Sequence, residues 1–222
     1  MDIFKDFEPI AIEDFIADND RELLRLKLIS ENKINFPNDG RKAILLHGKF
    51  GTGKTKLAKL LPKIFEKHRV DDFNQVEFDE IGSLFLSCKS TGGVDIANLA
   101  MPTSVSFHKS RLHYVILDEV DNLRADAQRN MKSFITEYSH VVYIMTTNHL
   151  AKVDAGLRSR SYTFSFEAPC KERWMKKCET VFKFYDVKFD EDFVRQVVDY
   201  SDGDVRYILS EIEQYLYQSQ SC

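Results

Sequence analysis

A glycine-rich run that ends in a lysine and a threonine is the part of this sequence best suited to chemistry. It consists of Gly48, four further residues, and then Gly53, Lys54 and Thr55. Glycines at these places let backbone N–H groups surround a phosphate, because no Cβ stands in the way. The Lys54 ammonium can then reach the β- and γ-phosphates of a nucleotide, and the Thr55 hydroxyl is placed to bind Mg²⁺. The spacing therefore predicts a loop that binds a nucleoside triphosphate together with Mg²⁺.

The residues on either side of this loop fit the same prediction. Ala43 to Leu46 is a short apolar run, typical of a strand that is buried on both faces. Lys56 to Glu66 has the pattern of a helix, whose N-terminal dipole favours a bound phosphate. The alternative is a chance glycine-rich turn, which would need neither a strand before it nor a helix after it. The residues predicted to contact the nucleotide here are Gly48, Lys49, Phe50, Gly51, Thr52, Gly53, Lys54, Thr55 and Leu57.

A second stretch, His113 to Val120, places two carboxylates at the end of an apolar run. The carboxyl ends of parallel strands form the edge at which such sheets bind ligands. We therefore predict that Asp118 holds Mg²⁺, directly or through water, and that Glu119 polarises the attacking water. The alternative is a buried strand followed by a solvated acidic turn.

Three more polar residues follow predicted elements. Asn148 comes after the apolar run Val141 to Met145, where its amide is placed either to order water beside Glu119 or to cap a turn. Arg160 lies at a loop-to-strand junction, a place where arginines are usually just solvated. Arg206 falls in the first turn of the last helix, where a cation opposes the helix dipole. This position suggests an anionic partner, and packing of the arginine stem is the alternative.

Composition limits the remaining possibilities. The chain has 222 residues, is 43% hydrophobic and carries a formal net charge of −4, which gives it no overall attraction for nucleic acid. No apolar run is long enough to cross a membrane and the start does not resemble a signal peptide, so we expect a soluble intracellular protein without a membrane partner. The four cysteines lack metal-ligand spacing and are expected to be buried or idle thiols in a reducing compartment.

Hydrophobic periodicity and turn residues predict an alternation of strands and helices. Residues 1–9 are expected to be extended, and Ala168-Pro169 marks a boundary between a phosphate-loop domain at 1–167 and a helical domain at 168–222. Helices are predicted within 12–29 and at 56–66, 94–100, 125–138, 174–185, 190–200 and 205–217. Strands are predicted at 43–46, 74–78, 141–145 and 162–166, with another within 113–120.

Together these stretches resemble the AAA+ ATPase family, and most closely the small subunits of sliding-clamp loaders of the bacteriophage and replication factor C types. Gly48 to Thr55 is similar to the Walker A loop, Val115 to Glu119 to the Walker B strand, and Asn148 lies at the sensor-1 position. Ala127 to Phe134 is similar to the helix that follows Walker B in clamp loaders. The resemblance covers nearly the whole chain. It implies an α/β fold with a three-layer parallel P-loop sheet and a C-terminal all-helical lid.

The resemblance also implies roles for two arginines. Leu157 to Ser161 is similar to the Ser-Arg-Cys motif, with Ser161 in place of the cysteine, so Arg160 would enter the ATP site of a neighbouring subunit. Gly203 to Arg206 is similar to the sensor-2 motif, so Arg206 would contact the γ-phosphate within its own subunit.

The partners implied by the resemblance are ATP, Mg²⁺, a sliding clamp, primer–template DNA and other clamp-loader subunits. The subunits would form a homo- or hetero-oligomer, expected to be pentameric, and the closeness to phage loaders leads us to expect a viral origin and a bacterial host cytoplasm. The alternative is an AAA+ remodeller or helicase loader that shares the ATP site but acts on a protein partner.

Some positions depart from the family pattern. Gly92 to Asp95 is similar to a DNA-facing helix start, but the arginine of that pattern is missing, which leaves Lys89 and Thr91 as the nearby polar groups. Asp79 stands where the family often has an asparagine that restrains the catalytic glutamate. The family's subunits also continue into a helical collar, whereas this sequence stops at Cys222, after the lid.

Overall fold

A computed structural model describes residues 2–16, 19–69, 83–89, 112–138, 140–167 and 171–220 of the chain. Within these described residues, five strands form one parallel sheet in the order β2-β3-β4-β1-β5. The strands are β1 at Ala43–His47, β2 at Ser83–Ser87, β3 at His113–Asp118, β4 at Val141–Thr147 and β5 at Ser161–Ser165. All seven residues of the central strand β4 are buried, as its apolar and β-branched composition predicts.

Helices flank the sheet and make up the C-terminal region. They are α1 at Ile3–Asp6, α2 at Asp20–Ser30, α3 at Lys54–Lys67, α4 at Ala125–Glu137, α5 at Ala155–Ser159, α6 at Lys171–Phe184, α7 at Glu191–Ser201 and α8 at Val205–Gln220. Short 3₁₀ turns occur at Ile12–Asp14, Val120–Asn122 and Leu150–Lys152. None of the described helices combines the length and the apolar character needed to cross a bilayer.

The alternation of side chains along β1 divides the core into two layers. Ile44 and Leu46 face a cluster that includes Leu61 of α3, whereas Leu45 faces the opposite cluster with Met131 of α4. Successive side chains of a strand point to opposite faces, so one buried strand packs against helices on both sides. The three-layer α/β fold expected from the sequence is therefore confirmed.

The helices α6, α7 and α8 enclose a separate hydrophobic cluster. Val181, Val194 and Ile212 are each no more than 1% exposed within it. The helical C-terminal region predicted from the sequence is thus present, with its own core.

The N-terminal residues depart from the prediction of an extended segment. They include the one-turn helix α1, in which the Asp2 side chain accepts a 3.1 Å hydrogen bond from the Lys5 N–H. Ile3 is fully buried in the core of the C-terminal helices, and its N–H donates to Glu213 Oε1 at 3.1 Å. The extended prediction was wrong because this turn is stabilised by contacts with residues about two hundred positions away.

Two further elements were not predicted, β2 and the short helix α5. The side chains of β2 do not alternate between buried and exposed, because the adjacent residues Leu84 and Phe85 are both partly exposed. The predicted strand at 74–78 and helix at 94–100 lie outside the described residues, as do Asp79 and Gly92 to Asp95.

Candidate nucleotide site

The glycine-rich loop joins the carboxyl end of β1 to the first turn of α3. Gly48 has a φ of +140°, and a Cβ at this residue would lie 2.1 Å from the Phe166 carbonyl oxygen. A side chain is therefore excluded at Gly48 by the chain that leaves β5. The close approach of these two backbones places the loop at the edge of the sheet where β1 and β5 end.

Lys54 lies on the inner side of this loop. Its side chain is buried at 6% exposure, and Nζ donates to the Gly48 carbonyl at 3.0 Å, to Thr52 Oγ1 at 3.3 Å and to the Lys49 carbonyl. Burial lowers the pKa of Lys54 to about 8, because the charged form loses hydration. A phosphate in contact with this ammonium would favour the charged form.

The Thr55 hydroxyl and the Asp118 carboxylate meet across the sheet edge. Thr55 Oγ1 donates to Asp118 Oδ1 at 2.6 Å, and Thr146 Oγ1 donates to the same oxygen at 2.7 Å. Hydroxyl and carboxylate oxygens are the hard ligands that Mg²⁺ prefers. The donor set therefore fits Mg²⁺, with Thr55 and Asp118 as the residues that would hold it. Thr146 was not among the predicted site residues.

Glu119 follows directly and has a left-handed backbone, with φ of 59°. Its N–H donates to Thr146 Oγ1 at 2.9 Å. Its carboxylate is paired with Lys89, whose Nζ lies 2.7 Å from Oε2 and 2.9 Å from Oε1, and it also accepts from Asn122 Nδ2 at 3.2 Å. The carboxylate is thus next to the candidate Mg²⁺ ligands but is engaged by a lysine at the end of β2.

A cavity of about 620 Å³ opens beside these groups. Its wall includes Lys54, Thr55, Glu119, Asn148 and Arg206, so the structure brings these predicted site residues together. The loop residues from Phe50 to Gly53 also line it. Leu57 does not; its side chain is fully buried in the core below the loop.

Arg160 lies elsewhere, at the end of α4. Its Nε donates to Thr136 Oγ1 at 3.0 Å and an Nη donates to the Gly156 carbonyl at 3.2 Å. It is not part of the cavity wall described above. The structure therefore separates Arg160 from the loop of its own chain.

The C-terminal helical region contacts the loop directly. The Val205 N–H donates to the Gly51 carbonyl at 3.1 Å, and Lys49 Nζ lies 2.5 Å from Asp202 Oδ1. Gly51 has a φ of +75°, and a Cβ here would lie 2.2 Å from Asp204 Oδ1. These contacts hold the start of α8, and with it Arg206, against the phosphate loop.

Gln128 links the candidate site to the segment that carries Arg160. This amide is 5% exposed, and its Nε2 donates to the Leu123 carbonyl at 3.1 Å and the Lys152 carbonyl at 3.2 Å. Its Oε1 accepts from the Asp154 N–H at 2.7 Å. Asp154 is the N-cap of α5, the helix before Arg160. The sequence placed Gln128 in the motif from Ala127 to Phe134, but neither its burial nor these contacts were predicted.

Known proteins similar to this chain include replication factor C subunit 5 of Mus musculus, which is 27% identical over 213 residues, covering 93% of this chain and 58% of the relative. The replication factor C small subunit of Saccharolobus solfataricus is 27% identical over 210 residues, covering 90% of this chain and 57% of the relative. The chain thus spans about 58% of the length of such relatives.

Solved structures with a similar fold include the Thermotoga maritima RuvB Holliday junction branch migration motor, with a TM-score of 0.66 and 16% identity over 93% of this chain and 64% of that one. A DNA polymerase III gamma subunit-related protein of the same organism has a TM-score of 0.57 and 16% identity, over 86% and 57% of the two chains. These likenesses concern the fold alone. The family model for the ATPase family associated with various cellular activities (AAA) matches residues 44–168, which is more than half of the chain. The chain therefore belongs to the AAA family of ATPases.

Proposed function

We propose that this chain is an ATPase subunit of a sliding-clamp loader, which hydrolyses ATP at subunit interfaces to place a clamp on primer–template DNA. The observation that carries the proposal is the separation of two sets of residues. Lys54, Thr55, Asp118 and Glu119 gather at one edge of the sheet, whereas Arg160 is held at the far end of α4. Arg160 is outside the cavity wall of its own subunit, so it is available to act as a trans-acting arginine at the ATP site of a neighbouring subunit.

Within one subunit, Lys54 binds the β- and γ-phosphates and the loop N–H groups surround them. Thr55 and Asp118 hold Mg²⁺, which when bound neutralises charge on the phosphate oxygens. Arg206 approaches the γ-phosphate from the lid, and Asn148 orients the attacking water beside Glu119. These roles agree with the positions of Lys54, Asn148 and Arg206 in the wall of one cavity.

Glu119 acts on the water only when its carboxylate is free to do so. A general base needs to reach the proton that it takes, directly or through one water. The ion pair with Lys89 competes for the same carboxylate oxygens. We therefore propose that Lys89 restrains Glu119 and that release of this pair accompanies hydrolysis.

Arg160 stabilises the transition-state charge in the adjacent subunit. An arginine supplied in this way contributes about 10³- to 10⁵-fold to the rate of related nucleotide hydrolases. Thr136 and the Gly156 carbonyl hold the guanidinium at the surface of its own subunit. An isolated subunit should accordingly hydrolyse ATP slowly.

The lid, residues 168–222, and the ATPase domain, residues 1–167, are proposed to close on ATP and to separate after hydrolysis. The contacts of Gly51 with Val205 and of Lys49 with Asp202 join the two regions at the phosphate loop. Loss of the γ-phosphate removes a ligand of both Arg206 and the neighbour's arginine, which favours release of clamp and DNA.

The proposal is tested by steady-state ATPase assays on this chain with its loader partners, with and without a sliding clamp and primed DNA. We expect clamp and primed DNA together to stimulate hydrolysis, and the Glu119→Gln variant to show no stimulated rate. Assembly and hydrolysis that do not respond to clamp or DNA would contradict clamp loading. They would favour a remodeller that acts on a protein.

A further inference from the structure

The indole of Trp174 is a buried polar group without a hydrogen-bond partner among the described residues. Trp174 is the single tryptophan of the chain, and it is 3% exposed. A donor deprived of both water and an acceptor costs about 1–3 kcal/mol, and such groups are rare in folded proteins. A molecule that binds beside the indole and carries an acceptor would remove this cost.

Trp174 also lines the cavity that contains Lys54 and Thr55. Helix α6 contributes Trp174, Lys177 and Val181 to this wall, at spacings of three and four residues that lie on one helix face. Phe7 and Ile16 from the N-terminal segment line it as well. The wall formed by the N-terminal segment and α6 is therefore mainly apolar, which suits a flat aromatic ring better than a phosphate.

On the basis of the proposed ATP site, we propose that the Trp174 indole N–H donates a hydrogen bond to a ring nitrogen of the bound purine base. The phosphate loop fixes the triphosphate at one part of the cavity, and a cavity of about 620 Å³ is large enough for the rest of a nucleotide. Unprotonated purine ring nitrogens are acceptors, and side-chain adjustments of the kind that accompany binding bring donor and acceptor together. Trp174 is thus a positioning residue that ties the lid to the base.

The first test compares Trp174→Phe with the unmodified chain by titration calorimetry, using ATP and inorganic tripolyphosphate, each with Mg²⁺. Phenylalanine keeps an aromatic ring in the wall and removes the donor. We expect ATP affinity to fall about threefold to tenfold, the value of one hydrogen bond, and tripolyphosphate affinity to stay the same. Equal ATP affinity in both proteins would overturn the proposal. Tyr200→Leu, at an 81% exposed aromatic residue of α7, is the control that should change neither affinity.

A second test leaves the protein unaltered and changes the base. The 1-deaza, 3-deaza and 7-deaza analogues of ATP each replace one ring nitrogen by carbon. We expect one of them to bind about threefold to tenfold more weakly than ATP, and this difference to disappear in Trp174→Phe. Equal binding of all three analogues and ATP to the unmodified chain would overturn the proposal.

The same titrations separate this inference from the proposed function. If the unmodified chain binds neither ATP nor tripolyphosphate, the proposed ATP site itself is wrong. If it binds both and the indole has no effect, only the role of Trp174 is wrong. Intrinsic fluorescence adds an independent readout, since emission from the single tryptophan should change with ATP and not with tripolyphosphate.

Discussion

The Thr55 hydroxyl donates a 2.6 Å hydrogen bond to Asp118 Oδ1, joining the first turn of α3 to the end of β3. Two stretches 63 residues apart in the chain thereby meet at the candidate Mg²⁺ position. Thr146 completes the arrangement by donating to the same oxygen at 2.7 Å. Asp118 and Thr146 belong to the neighbouring parallel strands β3 and β4, and Thr55 begins the helix after β1, so their meeting is a consequence of the sheet order.

Replacing Asp118 by asparagine should separate catalysis from folding. The amide oxygen can still accept from Thr55 and Thr146, so we expect the unfolding midpoint in urea to change little. The loss of charge weakens Mg²⁺ binding, and the ATPase rate should fall at least about 100-fold, because metal stabilisation of the transition state is worth several kcal/mol. A variant that keeps the full rate at low Mg²⁺ would show that Asp118 is not a metal ligand.

Removal of Lys89 tests whether its ion pair restrains Glu119. We expect Lys89→Met to raise the ATPase rate measured without DNA, since the carboxylate becomes free to meet water. The rate should be followed at saturating ATP. Lys183→Met, at an exposed lysine of α6, is the matched control and should leave the rate unchanged. A lower rate in Lys89→Met would mean that Lys89 supports Glu119.

Gly51→Ala probes the contact between the phosphate loop and the lid. The left-handed backbone alone costs about 1–2 kcal/mol with a Cβ, and the added methyl would press on Asp204. We expect ATP affinity to fall at least about tenfold, as measured by calorimetry. Gly40→Ala is the control: the nearest atom to a Cβ there, Asn38 Oδ1, is 3.6 Å away, and no loss should follow. Unchanged affinity in Gly51→Ala would rule out the close lid contact.

Gln128→Leu should disconnect the loop after β3 from the start of α5. The change leaves two carbonyl oxygens and one N–H without their buried partner, and we expect a loss of at least about 2 kcal/mol in the free energy of unfolding. Urea denaturation measures this loss, with Gln196→Leu on the exposed face of α7 as the control. The assembled ATPase should also slow, because α5 orients Arg160. A variant as stable as the unmodified chain would contradict the hydrogen-bonded role of Gln128.

The parts of the fold that could be predicted from the sequence are those with a local physical signal. The loop from Gly48 to Thr55 has a fixed spacing, and the buried strands β1 and β4 are continuous apolar runs, so both were found with nearly the right bounds. The helix α1 could not be found, because its stability comes from the burial of Ile3 against the distant α8.

The residues of the candidate site likewise divide into those with a local signal in the sequence and those that depend on tertiary contacts. The positions of Lys54, Asp118 and Asn148 at the sheet edge could be predicted, because Lys54 begins α3, Asp118 ends β3 and Asn148 directly follows β4. Lys89 and Thr146 contact Glu119 and Asp118 across the sheet, and the spacing of residues in the sequence does not predict such contacts. The separation of Arg160 from the loop of its own chain likewise depends on where α4 ends, which is a tertiary property.

The most direct test of the account is the ATPase rate per subunit as a function of protein concentration, for the unmodified chain with its partners and for Arg160→Ala. We predict that the rate per subunit rises as subunits assemble and that Arg160→Ala lowers the assembled rate at least about 10³-fold while ATP binding persists. A rate that is independent of concentration and unchanged in Arg160→Ala would contradict the proposal that one subunit completes the ATP site of another.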